Sequence, residues 1–140
     1  MLAGMASLAG CGLVGEAAPQ TITVVVGAAA PIEAEVASTD EQKRVGLMGR
    51  TQVPPGTGMA FVYDSPVRHQ FWMGGVELPL SIVWAMDGRV VGVAEMQPCP
   101  AADTTCPRYA PDSDYQLAVE TTGGTFTEAN VQIGDPVTTS

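Results

Sequence analysis

The stretch Leu80–Met96, LSIVWAMDGRVVGVAEM, decides the fold. In extended backbone alternate side chains share a face, so Leu80, Ile82, Trp84 and Met86 project together. Asp87-Gly88 then separates two apolar, β-branched runs. That dipeptide suits a two-residue turn whose central residues both take positive φ, and the stretch reads as a tight antiparallel hairpin. An isolated hairpin is marginal in water, so the rest of the chain must supply further strands.

Upstream lies RHQFWMGG, Arg68–Gly75. If Val67–Met73 is extended, His69, Phe71 and Met73 point one way, and Arg68, Gln70 and Trp72 the other. MAFVY is a short strand before it, with DSP as a turn between the two. Nearer the N-terminus, TITVVVG and IEAEVAS read as strands. A helix follows, capped by Ser38 with Glu41 or by Thr39 with Gln42. Its acidic residues come first and Lys43, Arg44 and Arg50 later, as the macrodipole favours. Val45, Leu47 and Met48 then face the sheet. Downstream, YQLAVETT is a strand, GG a turn, FTEAN a single helical turn closed by a left-handed Asn130, and VQIGD a return to the sheet. The expectation is a β-rich α+β domain at residues 21–140. It has seven or eight short strands, one main helix packed on them, and scope for partial closure into a barrel.

Composition limits the function. The chain has 140 residues, 46% of them apolar, which fits one domain with one core. Six basic residues face 15 acidic ones, giving a formal charge of −9 that repels phosphate backbones. Only Lys43 and Arg44 are adjacent, so no basic patch escapes that sign, and nucleic acid is not an expected partner.

The first ten residues, MLAGMASLAG, are apolar and too few to span a bilayer, which takes roughly 20. They read as a signal peptide, although no positive charge precedes the apolar run. LAGC, Leu8–Cys11, resembles a bacterial lipobox, so Cys11 is the expected lipidation site and residues 11–20 a lipid-anchored tether. Two or more acyl chains, palmitate among them, anchor a protein stably. The expected location is extracytoplasmic, on the cell membrane. Acylation of Cys11 leaves Cys99 and Cys106 within PCPAADTTCPRY, a Pro-rich surface loop, as an expected disulfide. Closing so short a loop is worth about 2–3 kcal/mol. Their spacing suits neither a zinc knuckle nor a CxxC redox pair.

Several motifs taken together resemble a known family. They are QKRVGLMGR (Gln42–Arg50), PPGTGMAFVY (Pro54–Tyr63), FWMGGVELPLSIVWAMDGRVV (Phe71–Val91), Pro98-Cys99 and Ile133-Gly134-Asp135, in that order. The chain is similar, over about Thr21 to Val137, to the uncharacterised conserved bacterial and archaeal family numbered 192 among domains of unknown function. The resemblance implies a small mixed β fold, with the segment around Arg44, Gly46, Leu47 and Met48 packed on it as a helix, often exported. It implies no established activity. In that family Trp-Met is usually followed by Lys-Asn and Pro-Leu by Asp. Here Gly74 and Gly75 stand in place of the first pair and Ser81 in place of the second.

Three kinds of chemistry compete. A triad would have to combine His69, the sole imidazole, with Ser65 or Ser81 and with Asp64 or Asp87, a spacing no catalytic motif matches. GxSxG, HExxH, phosphate-binding glycine loops and the dinucleotide fingerprint are all missing from the sequence. A small-molecule-directed envelope enzyme is therefore an alternative rather than the expectation. Cu(I) binding is another, through His69 and Met73 with Met48, Met59, Met86 or Met96 nearby, since thioethers suit that ion. The leading expectation is a non-catalytic binding or accessory module of the cell envelope, without cofactor, which recognises an envelope protein or a small ligand. Its surface would comprise Arg50, Trp72, Gly74, Gly75 and Ser81. Indole and guanidinium supply binding energy beyond their share of area, and glycine permits close approach.

Overall fold

The computed structural model describes residues 18–140. The expected signal peptide, the lipidation site Cys11 and most of the tether lie outside the described residues. In chain order the elements are β1 (Thr21–Val26), β2 (Ile32–Ala37), α1 (Asp40–Val45), β3 (Thr57–Val67), β4 (Phe71–Trp72) and β5 (Leu80–Met86). They continue with β6 (Arg89–Met96), β7 (Arg108–Tyr109), β8 (Tyr115–Thr122), α2 (Thr125–Glu128) and β9 (Val137–Thr139).

Seven strands form one sheet in the order β6-β5-β8-β3-β2-β1-β9, while β4 and β7 form a separate ribbon. Neighbours in the sheet run antiparallel except β2 and β3, which are parallel and joined through α1. The sheet curls until its edges touch at one end. Val90 N–H donates to Asp135 O and Val137 N–H to Gly88 O, which brings the chain entering β9 against the start of β6. The result is a half-barrel, in keeping with the expected partial closure.

The hairpin read from Leu80–Met96 forms as β5–β6, with Leu80 opposite Met96 and Met86 opposite Arg89. Asp87 and Gly88 take φ of 50° and 73°, the paired positive values that this turn demands. One residue is added on β6: Trp84 faces Gly92 and Ala85 faces Val90, which leaves Val91 as a bulge. The FTEAN turn also forms, and Asn130 closes it at φ 53°.

Three expectations need correction. The main helix is only six residues long, and none of its residues is buried. Thr39 and Gln42 cap it reciprocally, but the chain turns away at Gly46, so of the three apolar residues only Leu47 is buried, while Val45 and Met48 are 40% and 38% exposed. The fold is mostly β, with two short helices rather than one principal one. Second, Asp64–Pro66 is no turn: β3 continues through it with a register shift between Val62 and Val67 against β8. Third, two stretches are not strands: residues 68–70 connect β3 to the two-residue β4, which interrupts Val67–Met73, and VQIGD (Val131–Asp135) is loop and turn, the return to the sheet coming only at β9.

Alternation along the central strands divides the core between two faces of the sheet. One holds Met59, Phe61, Phe71, Met73, Ile82, Trp84, Met96 and Tyr115. The other holds Val24, Ile32, Ala60, Val83, Ala85, Val119 and Phe126. Aromatic and thioether side chains therefore gather on the first face, beneath α1 and β4.

Candidate functional site

A cleft of about 330 Å³ opens on the aromatic face, lined by α1 and Gly46–Met48, by Phe61 and Tyr63 of β3, by His69–Trp72, and by Val76 and Glu120. Glu120 is its central feature. It lies on β8, paired with Met59 of β3 on one side and Ile82 of β5 on the other, and it shares its face with Ala118. Both neighbouring strands are hydrogen-bonded to β8, so the carboxyl has no route to solvent except the cleft. Glu120 is 6% exposed, and its carboxyl takes part in no hydrogen bond or ion pair among the described residues. Burial without a partner disfavours the charged form and pushes its pKa up to about 8. A carboxyl that titrates near neutrality inside an aromatic cleft marks a functional-site candidate.

The phenols near this floor are perturbed in the same way: burial raises the pKa of Tyr63 and of Tyr115. The Tyr115 hydroxyl donates to His69 O at 2.6 Å, which ties the 68–70 connection to the sheet. Lys43 Nζ sits 4.1 Å above the Tyr63 ring. Arg44 pairs instead with Glu41 at 2.6 Å, three residues back along α1.

Trp72, 39% exposed, forms the opposite lip. Its position is built from three parts. The β4–β7 ribbon sets Trp72 against Arg108, whose guanidinium lies 5.5 Å from the indole ring. Gly74 lets the indole lie back over the main chain, since a Cβ there would come within 2.0 Å of Trp72 Cζ2. Finally, Cys99 and Cys106 are joined in a disulfide, and Cys99 O accepts from Gly75 N–H at 2.9 Å. The cross-linked loop thus braces the chain immediately behind the indole.

Of the residues proposed as a binding surface, the structure brings Trp72, Gly74 and Gly75 to one place. Of the three only Trp72 lines the cleft: Gly74 is buried beneath the indole rather than open to a ligand, and Gly75, half-buried, packs near Met48. Arg50 does not join them. It forms a two-pronged pair with Glu35 and faces a separate, wider groove of about 520 Å³, with Val36, Gln42 and Met59. Ser81 does not join them either, because it is fully buried on the valine-rich face. Its hydroxyl donates to Glu95, whose carboxylate also accepts from Thr127 Oγ1 at 2.7 Å and Gly124 N–H at 2.9 Å. That network fastens α2 to the β5–β6 hairpin and is structural. Among the metal alternatives His69 is exposed while Met73, Met59 and Met96 are buried in the core. Asp64 and Ser65 are exposed on β3, Asp87 sits in the hairpin turn, and Ser81 is on the opposite face. The serine and aspartate candidates are thus scattered, and the buried thioethers of Met59, Met73 and Met96 belong to the core of the aromatic face while His69 lies at the surface.

Glu120 was absent from the sequence-derived surface. An acid in an alternating strand reads as solvent-facing, and Ala118-Val119-Glu120 offered a single faint signal, an apolar pair that leaves the acid no obvious exposed face.

Comparison with known proteins supports the fold and leaves the activity open. No curated protein matches the chain. A crystal structure from Sinorhizobium meliloti 1021, provisionally described as a transcription regulator, is 24% identical with a TM-score of 0.77, over 89% of this chain and 98% of its own. A protein of unknown function from Novosphingobium aromaticivorans DSM 12444 is 26% identical with a TM-score of 0.70, over 88% of this chain and 94% of its own. The uncharacterized ACR family DUF192 matches residues 22–139, nearly all of the described domain, and the motifs from Gln42 to Asp135 fall within that span. The chain is therefore a member of the DUF192 family.

Proposed function

We propose that the chain is an exported lipoprotein whose domain binds a small ligand in the cleft beneath α1 without transforming it. The observation that carries the ligand reading is the Glu120 carboxyl, buried, unpartnered and accessible only through an aromatic cleft. Its burial costs stability unless something else supplies a partner, and polar groups kept at such cost are characteristic of binding sites. The envelope placement rests on LAGC ending at Cys11 and on the Cys99–Cys106 disulfide, which suits an oxidising compartment.

A thermal-shift screen of small organic acids, bases and neutral compounds tests the binding claim. Ligands of the cleft raise the melting temperature of the native chain and lose that effect in Trp72→Ala. A folded protein indifferent to the whole panel overturns the reading. Mass spectrometry of the mature N-terminus tests the anchor: a diacylglyceryl thioether on Cys11 supports it, and an unmodified N-terminus upstream of Cys11 removes it.

Glu120 also favours a second reading, an envelope enzyme in which this carboxyl acts as general acid, because its raised pKa keeps it protonated at neutral pH. Turnover of an ester, amide or glycoside that disappears in Glu120→Gln would establish that reading over simple binding.

A further inference from the structure

The charge arrangement in and around the cleft selects among ligand classes. Two cations, Lys43 and Arg44, line the mouth, and they are matched by two carboxylates: Asp40, also in the lining, and Glu41, which pairs with Arg44. The mouth is therefore balanced, while the chain as a whole carries −9 and steers cations inward. An anion gains little at this entrance. At the floor it meets a carboxyl that must retain its proton.

A cation meets the opposite situation. Glu120 has Met59 and Ile82 opposite it on the flanking strands and forms no ion pair, since Lys43 lies over Tyr63 and Arg44 is paired with Glu41, so a positive group is the partner it lacks. The walls include the aromatic side chains of Tyr63, Phe71 and Trp72, and π systems attract ammonium groups, most strongly where water is excluded. The molecule already shows such a contact, because the Lys43 ammonium rests over the Tyr63 ring. A volume of about 330 Å³ sets the size at a small molecule.

We propose that the cleft holds a small organic ammonium, its charged head against the Glu120 carboxylate and its apolar body against Phe71 and Trp72. This rests on the reading of the cleft as a ligand site and gives that ligand a chemical class. Binding drives the Glu120 proton into solvent, so affinity rises with pH until the carboxyl is ionised in the free protein. The other ionisable groups around it are Asp40, Lys43 and Arg44 on α1, Tyr63 on β3, Tyr115 on β8, and His69.

The test uses three probes of one shape on the full chain: benzyltrimethylammonium, whose charge does not titrate, benzyl alcohol and benzoate. Binding is followed by tryptophan fluorescence and equilibrium dialysis. The ammonium binds at least tenfold more tightly than either analogue at pH 8. Its affinity rises roughly tenfold per unit between pH 6 and 8 and levels off above, as expected for release of one proton. Glu120→Gln, isosteric with the protonated side chain, flattens that slope and weakens binding at pH 8 at least tenfold. Trp72→Leu weakens binding but keeps the slope, and His69→Gln keeps it too. Tighter binding of benzoate or benzyl alcohol overturns the ammonium proposal and leaves the cleft a ligand site. A slope that persists in Glu120→Gln, or disappears in His69→Gln, also overturns it. Absence of saturable binding by all three probes overturns the proposal and counts against the ligand site itself.

Discussion

On the valine-rich face of the sheet, the buried polar side chains have partners: Ser81 donates to Glu95, and Thr121 Oγ1 donates to Thr57 O at 2.8 Å. On the aromatic face the Trp84 indole N–H is buried without a partner, and the Glu120 carboxyl, at the floor of the cleft, makes no side-chain hydrogen bond among the described residues. The same strands, β5 and β8, supply both faces, so the contrast lies in side chains and not in backbone. An unpartnered buried polar group forfeits roughly 1–3 kcal/mol. One face is built to hold the sheet together, and the other gives up stability, at Glu120 on the floor of the cleft and at Trp84 away from it.

Substitutions on the two faces test that division, beginning with the largest effect. Phe126→Ala removes the fully buried anchor of α2 and is expected to cost about 3–5 kcal/mol in urea denaturation. A loss below about 1 kcal/mol would mean that the valine-rich face is not the stabilising one. Glu95→Ala strips an acceptor from Ser81, Thr127 and Gly124 together and is expected to cost about 2–3 kcal/mol.

On the aromatic face the sign reverses. Glu120 has its pKa raised from 4.5 to about 8, so the folded chain holds a proton that the unfolded chain releases. Its contribution to stability is whole below pH 4.5 and declines as pH rises towards about 8, by about 1.4 kcal/mol per unit within that window. Glu120→Gln should remove this decline and be more stable than the native chain at pH 8, as read from paired denaturation curves across pH. Equal pH profiles for the two proteins would erase the distinction between the faces. The smallest effect is expected of Trp72→Ala: less than about 1 kcal/mol of stability, because the indole is partly exposed, with ligand response lost.

Where sequence reading succeeded and failed follows the same line. The β5–β6 hairpin was legible because the Asp87-Gly88 turn and the period of Leu80, Ile82 and Trp84 are local and point to one answer. The capping box of α1 was equally local. Its length was not, because Val45, Leu47 and Met48 have helical spacing whether or not the chain turns at Gly46. Trp72 could be singled out because a large aromatic beside two glycines invites close approach, but the group that approaches Gly74 is the indole itself. Ser81 and Glu120 were misread or missed for one reason. Both lie on strands flanked on both sides, with both faces covered, so a polar residue there is interior, and that follows from the strand order β6-β5-β8-β3 rather than from nearby residues.

The pairing of the earliest strand with the latest governs when this molecule can finish assembling. Val24 lies opposite Thr139, and Val26 opposite Val137. However fast the hairpin zips, the outer margin of β1 stays unpaired until Val137–Thr139 are in place beside it. Contacts between such distant points are slow to form.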